Sequence, residues 1–223
     1  MKTHNFSAGP SILPQSVISS ASKKVLEFDN ELSILEISHR SNAFTDVMSE
    51  SISLVRDILD VPTNYSIIFL QGGASLQFCM VALNLLKKNN GSAAYLNTGT
   101  WSKKAIFEAK KFGKIEIVGD SSNKNFSYIP KDFKISDSHD YFHCTSNNTI
   151  YGSQIKTFPK CNIPLVCDMS SDIFSRKIDI KEFGLIYAGA QKNLGPAGAT
   201  LVIVKDEILG KSERDIPSML DYR

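Results

Sequence analysis

Lys192 is the one cation in a run of small residues, Gly189-Ala190-Gln191-Lys192-Asn193-Leu194-Gly195-Pro196-Ala197-Gly198-Ala199. A solvated loop gains nothing from glycine, alanine and proline packed around its only charge. A loop folded into a pocket needs them so that its backbone can approach a ligand. A lysine held there is expected to lose hydration, which disfavours its ammonium form and leaves a neutral amine able to form a Schiff base with a carbonyl. The plain alternative is a surface lysine in a strand-to-strand turn. Asp168 closes the apolar run Leu165-Val166-Cys167, at the carboxyl end of a buried strand, where open α/β sheets gather ligand groups. A carboxylate there needs a cationic partner, such as a protonated pyridine nitrogen. Capping the Ser170-Ser171 turn is its other reading.

Gln71-Gly72-Gly73-Ala74-Ser75 follows a strand pattern and opens a helix pattern. Unpaired N–H groups and the positive end of a helix dipole therefore converge on one spot, which suits a phosphate. A tight turn with a Ser cap is the simpler account. Neither Gly-x-Gly-x-x-Gly nor a Lys-Ser/Thr ending is present, which speaks against dinucleotides and ATP. Trp101 opens a helix after Asn97-Thr98-Gly99-Thr100 and is either a stacking platform for a flat ring or a core residue. His39-Arg40, between two helices and without periodic pattern, could bind an anion through the guanidinium fork, or form a surface ion pair. His139 and His143 have the spacing of helical zinc ligands, but Asp140-Tyr141-Phe142 between them reads as the entry to a strand, so no metal is expected.

The elements that must hold these residues follow from periodicity. Helical spacing runs over Gln15 to Phe28, Phe44 to Leu59, Leu76 to Lys88 and Ser102 to Phe112. Short β-rich runs cover Tyr65–Leu70, Ala93–Leu96, Lys114–Val118, Tyr141–Cys144, Leu165–Cys167, Leu185–Ala188 and Thr200–Val204. Early strand-helix alternation with continuous apolar strands predicts an α/β domain around a mostly parallel, mixed sheet. With 223 residues, 42% of them hydrophobic, the chain can bury a sizeable core. A net charge of +2 without any block of like charges gives no nucleic-acid footprint and no basic membrane surface. No apolar run has signal-peptide or membrane-span length, so a cytoplasmic location is expected. Cys79, Cys144, Cys161 and Cys167 lack metal or redox spacing and read as reduced core thiols.

A Schiff-base lysine, a strand-end aspartate, a phosphate turn and a stacking aromatic are the parts a pyridoxal phosphate enzyme needs. The segments Asn5-Phe6-Ser7-Ala8-Gly9-Pro10, Ser38-His39-Arg40, Phe69 to Phe78, Asp168-Met169-Ser170-Ser171 with Ser175-Arg176, and Tyr187 to Gly198 resemble the phosphoserine aminotransferase family, class V enzymes of fold type I. The likeness runs from Asn5 to Tyr222. Cysteine desulfurases share the fold, but usually carry histidine where this chain has Gln191.

The resemblance implies a three-layer large domain spanning residues 1–223, with an N-terminal arm over about 1–14 and the family's small C-terminal domain absent from this chain. It implies pyridoxal 5′-phosphate as cofactor. Lys192 would hold it and shuttle a proton, Asp168 would pair with the ring nitrogen, and Trp101 would stack on the ring. Ala74, Ser75 and Gln191 would bind its phosphate, and Thr149 would hydrogen-bond it. Arg40, with His39 beside it, would receive the anionic substrate, and Ala8 would reach it through its backbone. The implied reaction moves the amino group of L-glutamate to 3-phosphohydroxypyruvate, giving O-phospho-L-serine and 2-oxoglutarate in serine biosynthesis. Some members also serve pyridoxine biosynthesis, and homodimers are the family habit. An expectation of a different class stands beside this one: a fragment that binds the cofactor or dimerises, but needs a second polypeptide for turnover.

Overall fold

The computed structural model describes residues 3–223. Two helices come first, α1 (Gln15–Leu26) and α2 (Asn42–Leu59), followed by β1 (Tyr65–Leu70), α3 (Gly73–Leu85), β2 (Ser92–Asn97), α4 (Thr100–Ala109) and β3 (Lys114–Asp120). The second half is strand-rich: β4 (Tyr141–Thr145), a two-residue hairpin of β5 (Asn147–Asn148) and β6 (Ser153–Gln154), then β7 (Leu165–Asp168), β8 (Leu185–Gly189) and β9 (Thr200–Lys205).

Seven strands form one sheet in the order β1-β9-β8-β7-β4-β2-β3. The pairings from β3 across to β8 are parallel, and β9 runs against both β8 and β1. Every residue of β4, β7 and β8 is buried, which is why these strands read as continuous apolar runs rather than alternating ones. One face packs Cys144, Cys167, Ile186 and Ile203 with Val55 and Leu59 of α2. The other packs Tyr95, Tyr141, Val166, Tyr187 and Val202 with Phe78 and Val81 of α3 and Ile106 of α4. The result is the α/β domain around a mostly parallel mixed sheet that the pattern predicts, in the three layers that the family resemblance implies. None of the α1 residues is buried; Val17, Ile18, Val25 and Leu26 are exposed.

Several boundaries differ from the sequence pattern for identifiable reasons. Helix α3 starts at Gly73 rather than Leu76, because Gly72 and Gly73 both adopt positive φ (88° and 66°) and swing the chain into its first turn at once. It ends at Leu85 rather than Lys88. Leu86 is extended, and the next amides bond elsewhere, Lys87 N–H to Asp140 Oδ2 (3.1 Å) and Lys88 N–H to Ser212 O (2.8 Å). Helix α1 stops at Leu26, and Glu27 is extended. The β5–β6 hairpin has no periodic signal, since two-residue strands are too short to show one.

Candidate active site

Parallel strands aim their carboxyl ends at one edge of the sheet, and Asp168 is the last residue of β7 there. Its backbone neighbours across the ladder are Thr145 of β4 and Tyr187 of β8. Asp168 is 5% exposed. Its Oδ1 accepts the N–H (3.0 Å) and the hydroxyl (2.7 Å) of Ser170, and Ser170 Oγ in turn accepts Gly189 N–H (3.0 Å). The two readings of this aspartate are therefore compatible: Oδ1 caps the following turn, and no hydrogen bond among the described residues occupies Oδ2. Burial pushes the carboxyl above its ordinary range, while Ser170 and the Lys192 charge pull it down and Asp172 pushes it up.

Lys192 lies in the connection between β8 and β9. It lines one pocket together with Gly73, Ala74, Ser75, Trp101, Asp168 and Gln191. Its Nζ stands 3.4 Å from Thr149 Oγ1 and 5.7 Å from the centre of the Trp101 ring. The expected removal from water is incomplete. Lys192 is half-buried, and Pro196, Ala197 and Gly198 of the same loop are exposed. The N-terminal arm passes beside it: Ser11 N–H bonds Gln191 O (2.9 Å), Ser11 Oγ bonds Lys192 O, and a methyl group on Gly9 would stand 3.1 Å from Lys192 Cγ. Ala8, exposed, sits next to this contact.

The simpler account of the turn over residues 71–75, a serine cap, does not hold. Gly72 is the N-cap of α3, with no side-chain cap bond, and Ser75 is exposed inside the first turn. The N–H groups of Gly73, Ala74 and Ser75 have no preceding turn to bond, and all three residues line the pocket. A methyl group on Gly72 would meet Leu76 Cδ2 at 2.5 Å and Leu76 Cβ at 2.8 Å, on a backbone with φ +88°. Gly72→Ala is expected to destabilise the chain by about 1–3 kcal/mol and to weaken binding of phosphate-bearing ligands. Gly73, with open space around it, is the control in denaturant titrations; equal losses at both positions would mean that Leu76 gives way.

Trp101, the second residue of α4, is half-buried, and Lys104 Nζ lies 4.8 Å from the centre of its ring. His39 and Arg40 are not brought to this pocket. Both are exposed in the α1–α2 connection, where Arg40 N–H bonds Ser38 Oγ (3.1 Å). That segment lies outside the sheet, so no strand end positions it. The histidine pair is structural: His143 Nε2 meets Tyr187 Oη (2.9 Å) and His139 Nδ1 meets Ser92 Oγ (3.1 Å). Burial drives the His143 pKa down to about 3. Thr145, Asn147, Ser170 and Ser171 also line the pocket. Only Ser170 and Ser171 left a trace in the sequence, as a turn that Asp168 could cap.

The wall therefore offers a carboxylate with a free oxygen, an amine, a flat ring and a cluster of helix-start amides. Trp101 Nε1 and Thr145 Oγ1 are buried there without a partner among the described residues. This donor set fits a flat, cationic, phosphorylated ring bearing a carbonyl.

The aminotransferase class-V family profile matches residues 3–216. The chain is 62% identical to the phosphoserine aminotransferase of Flavobacterium johnsoniae and 55% identical to that of Bacteroides fragilis, covering 100% of this chain and 63% and 62% of those proteins. Among solved structures, phosphoserine aminotransferase from Bacillus circulans subsp. alkalophilus superposes with a TM-score of 0.93 at 43% identity, over 98% of this chain and 61% of that one. The pyridoxal phosphate-bound phosphoserine aminotransferase of Trichomonas vaginalis gives 0.92 at 34% identity, over 100% and 63%. The chain thus spans somewhat less than two thirds of the length of the relatives it matches.

Proposed function

The chain belongs to the aminotransferase class-V family, and from that premise we propose that it is the cofactor-bearing large domain of a phosphoserine aminotransferase dependent on pyridoxal 5′-phosphate. The substrates on this reading are L-glutamate and 3-phosphohydroxypyruvate, in serine biosynthesis. The observation that carries it is the shared pocket: Lys192 and Asp168, separated in sequence, line one cavity with the α3 start and Trp101. A bound pyridoxal phosphate supplies an electron sink that makes the substrate α-proton acidic.

The residues of the chain do the rest. With the cofactor bound, Lys192 Nζ would be the amine that condenses with its aldehyde, with loss of water, and, once displaced by the substrate amine, would be the general base that takes and returns the α-proton. Asp168 Oδ2 would be the partner for the protonated ring nitrogen, and Ser170 on Oδ1 fixes the orientation of the carboxylate. Gly73, Ala74 and Ser75 present amides to the phosphate, with Gln191 beside them. Trp101 would cover one face of the ring and exclude water from it. Thr149 meets Lys192 from the hairpin. Arg40 and His39 remain the proposed anion receivers on this reading, and they must reach substrate from outside the pocket described.

A homodimer in the cytoplasm and a second role in pyridoxine biosynthesis belong to the same proposal; no described helix is long and apolar enough to cross a membrane. The test is a half-reaction. Protein loaded with pyridoxal phosphate, given L-glutamate alone, should release 2-oxoglutarate equal to the bound cofactor. Binding without any release would favour the fragment reading, in which a second polypeptide is required.

A further inference from the structure

Thr145 ends β4 in register with Asp168 at the end of β7. The two-residue period of a strand places it on the same face as His143, the face on which Tyr187 and Val166 pack. Its side chain lines the pocket beside Asp168 and is 3% exposed, and its Oγ1 has no hydrogen-bond partner among the described residues. Buried hydroxyls in folded proteins are ordinarily paired, because drying one without a bond is unfavourable. Most of the other partnerless buried atoms, those of Asn97, Ser121, His143 and Thr200, belong to residues outside the pocket wall. Ser170 occupies Asp168 Oδ1, so Thr145 is not needed to hold that carboxylate in place.

We propose that Thr145 is a further ligand-binding residue, whose hydroxyl hydrogen-bonds the polar edge of the ring seated beside Asp168. This rests on the cofactor reading above. Threonine suits the position on three counts. Its hydroxyl both donates and accepts, so it serves a ring substituent in either ionisation state. Its methyl packs against a flat apolar surface. Its β-branch restricts χ1 in a strand, so the hydroxyl is held ready before the ligand arrives.

Two variants separate the hydroxyl from the shape. Thr145→Val keeps the branched outline and removes the oxygen; Thr145→Ser keeps the oxygen. The probe is 4-deoxypyridoxine 5′-phosphate, which lacks the aldehyde and so reports contacts that do not involve attachment to Lys192. Quenching of Trp101, the single tryptophan of the chain, reads its binding. Thr145→Val should bind about five- to tenfold more weakly than the unaltered protein, and Thr145→Ser within about twofold of it.

The unliganded Thr145→Val protein should melt at the same temperature or higher, because an unsatisfied buried hydroxyl has gone. A purely structural role predicts the reverse. Thr145→Val binding like the unaltered protein, or melting lower with Thr145→Ser equally impaired, overturns the proposal and leaves the cofactor reading standing. If the unaltered protein binds neither this probe nor pyridoxal phosphate, both fall.

Discussion

Replacing Lys192 with alanine is expected to lower glutamate-dependent release of 2-oxoglutarate by on the order of 10⁴-fold, with the fold preserved. The size of the effect follows from two roles on one atom. On the proposed function, the Nζ would attach the cofactor aldehyde, and the freed amine would carry the proton between substrate and cofactor. Among the described residues, nothing else in the pocket wall offers a second amine: the lining contains no other lysine. Stability should change by less than about 0.5 kcal/mol, since Lys192 is half-buried and its side chain makes one long hydrogen bond, to the exposed Thr149. Non-covalent binding of pyridoxal phosphate should persist, because Asp168, Trp101 and the α3 amides are untouched. Single-turnover release measured beside Trp101 quenching checks both halves. Turnover within tenfold of the unaltered protein would remove Lys192 from the mechanism.

Asp168→Asn is expected to weaken pyridoxal phosphate binding by about 10- to 100-fold, the range for losing a charge-assisted bond to a buried ionic partner. The unliganded protein should respond in the opposite direction. Burial raises the folded-state pKa of Asp168 above its ordinary value, despite Ser170 and Lys192. As pH rises from the ordinary carboxylate value through the raised one, the unfolded chain gives up its proton first, so folding stability falls across that window. Above it, the ionised carboxylate weighs against the empty fold. Asparagine keeps an acceptor for Ser170 but carries no charge. Asp168→Asn should therefore melt higher than the unaltered protein at pH 8, and the difference should vanish below the ordinary carboxylate pKa. Melting curves across pH, paired with binding titrations, read this. A destabilised variant with unchanged affinity would reduce Asp168 to a clamp on the Ser170 turn.

Much of this site is legible in the sequence because its chemistry demands unusual residues in telling places. A lysine among glycines and alanines, an aspartate closing an apolar strand, and paired glycines between a strand and a helix each conflict with ordinary surface or core composition. The sheet is legible for a related reason: strands buried on both faces, such as β7, β8 and β9, read as unbroken apolar runs.

What escapes the sequence depends on context that composition does not carry. Thr145 is an unexceptional residue for a strand, and its lack of a partner exists only once β4 and β7 are aligned. The α3 start is displaced by glycine dihedrals rather than by any change in periodicity. Lys192 is more open than its small neighbours suggest, because smallness lets a backbone approach closely but does not close a loop over a side chain. Arg40 carries the right chemistry for an anion, yet sits in an exposed turn that no strand end aims at the pocket.

Lys192 is proposed as the residue that attaches the cofactor. Incubating the protein with pyridoxal phosphate, reducing with borohydride and mapping the modified peptides by mass spectrometry tests it without any turnover. The expected result is one label per chain, on Lys192, competed away by 4-deoxypyridoxine 5′-phosphate. Label spread over surface lysines such as Lys87, Lys103 and Lys111, or an unlabelled Lys192, would contradict it.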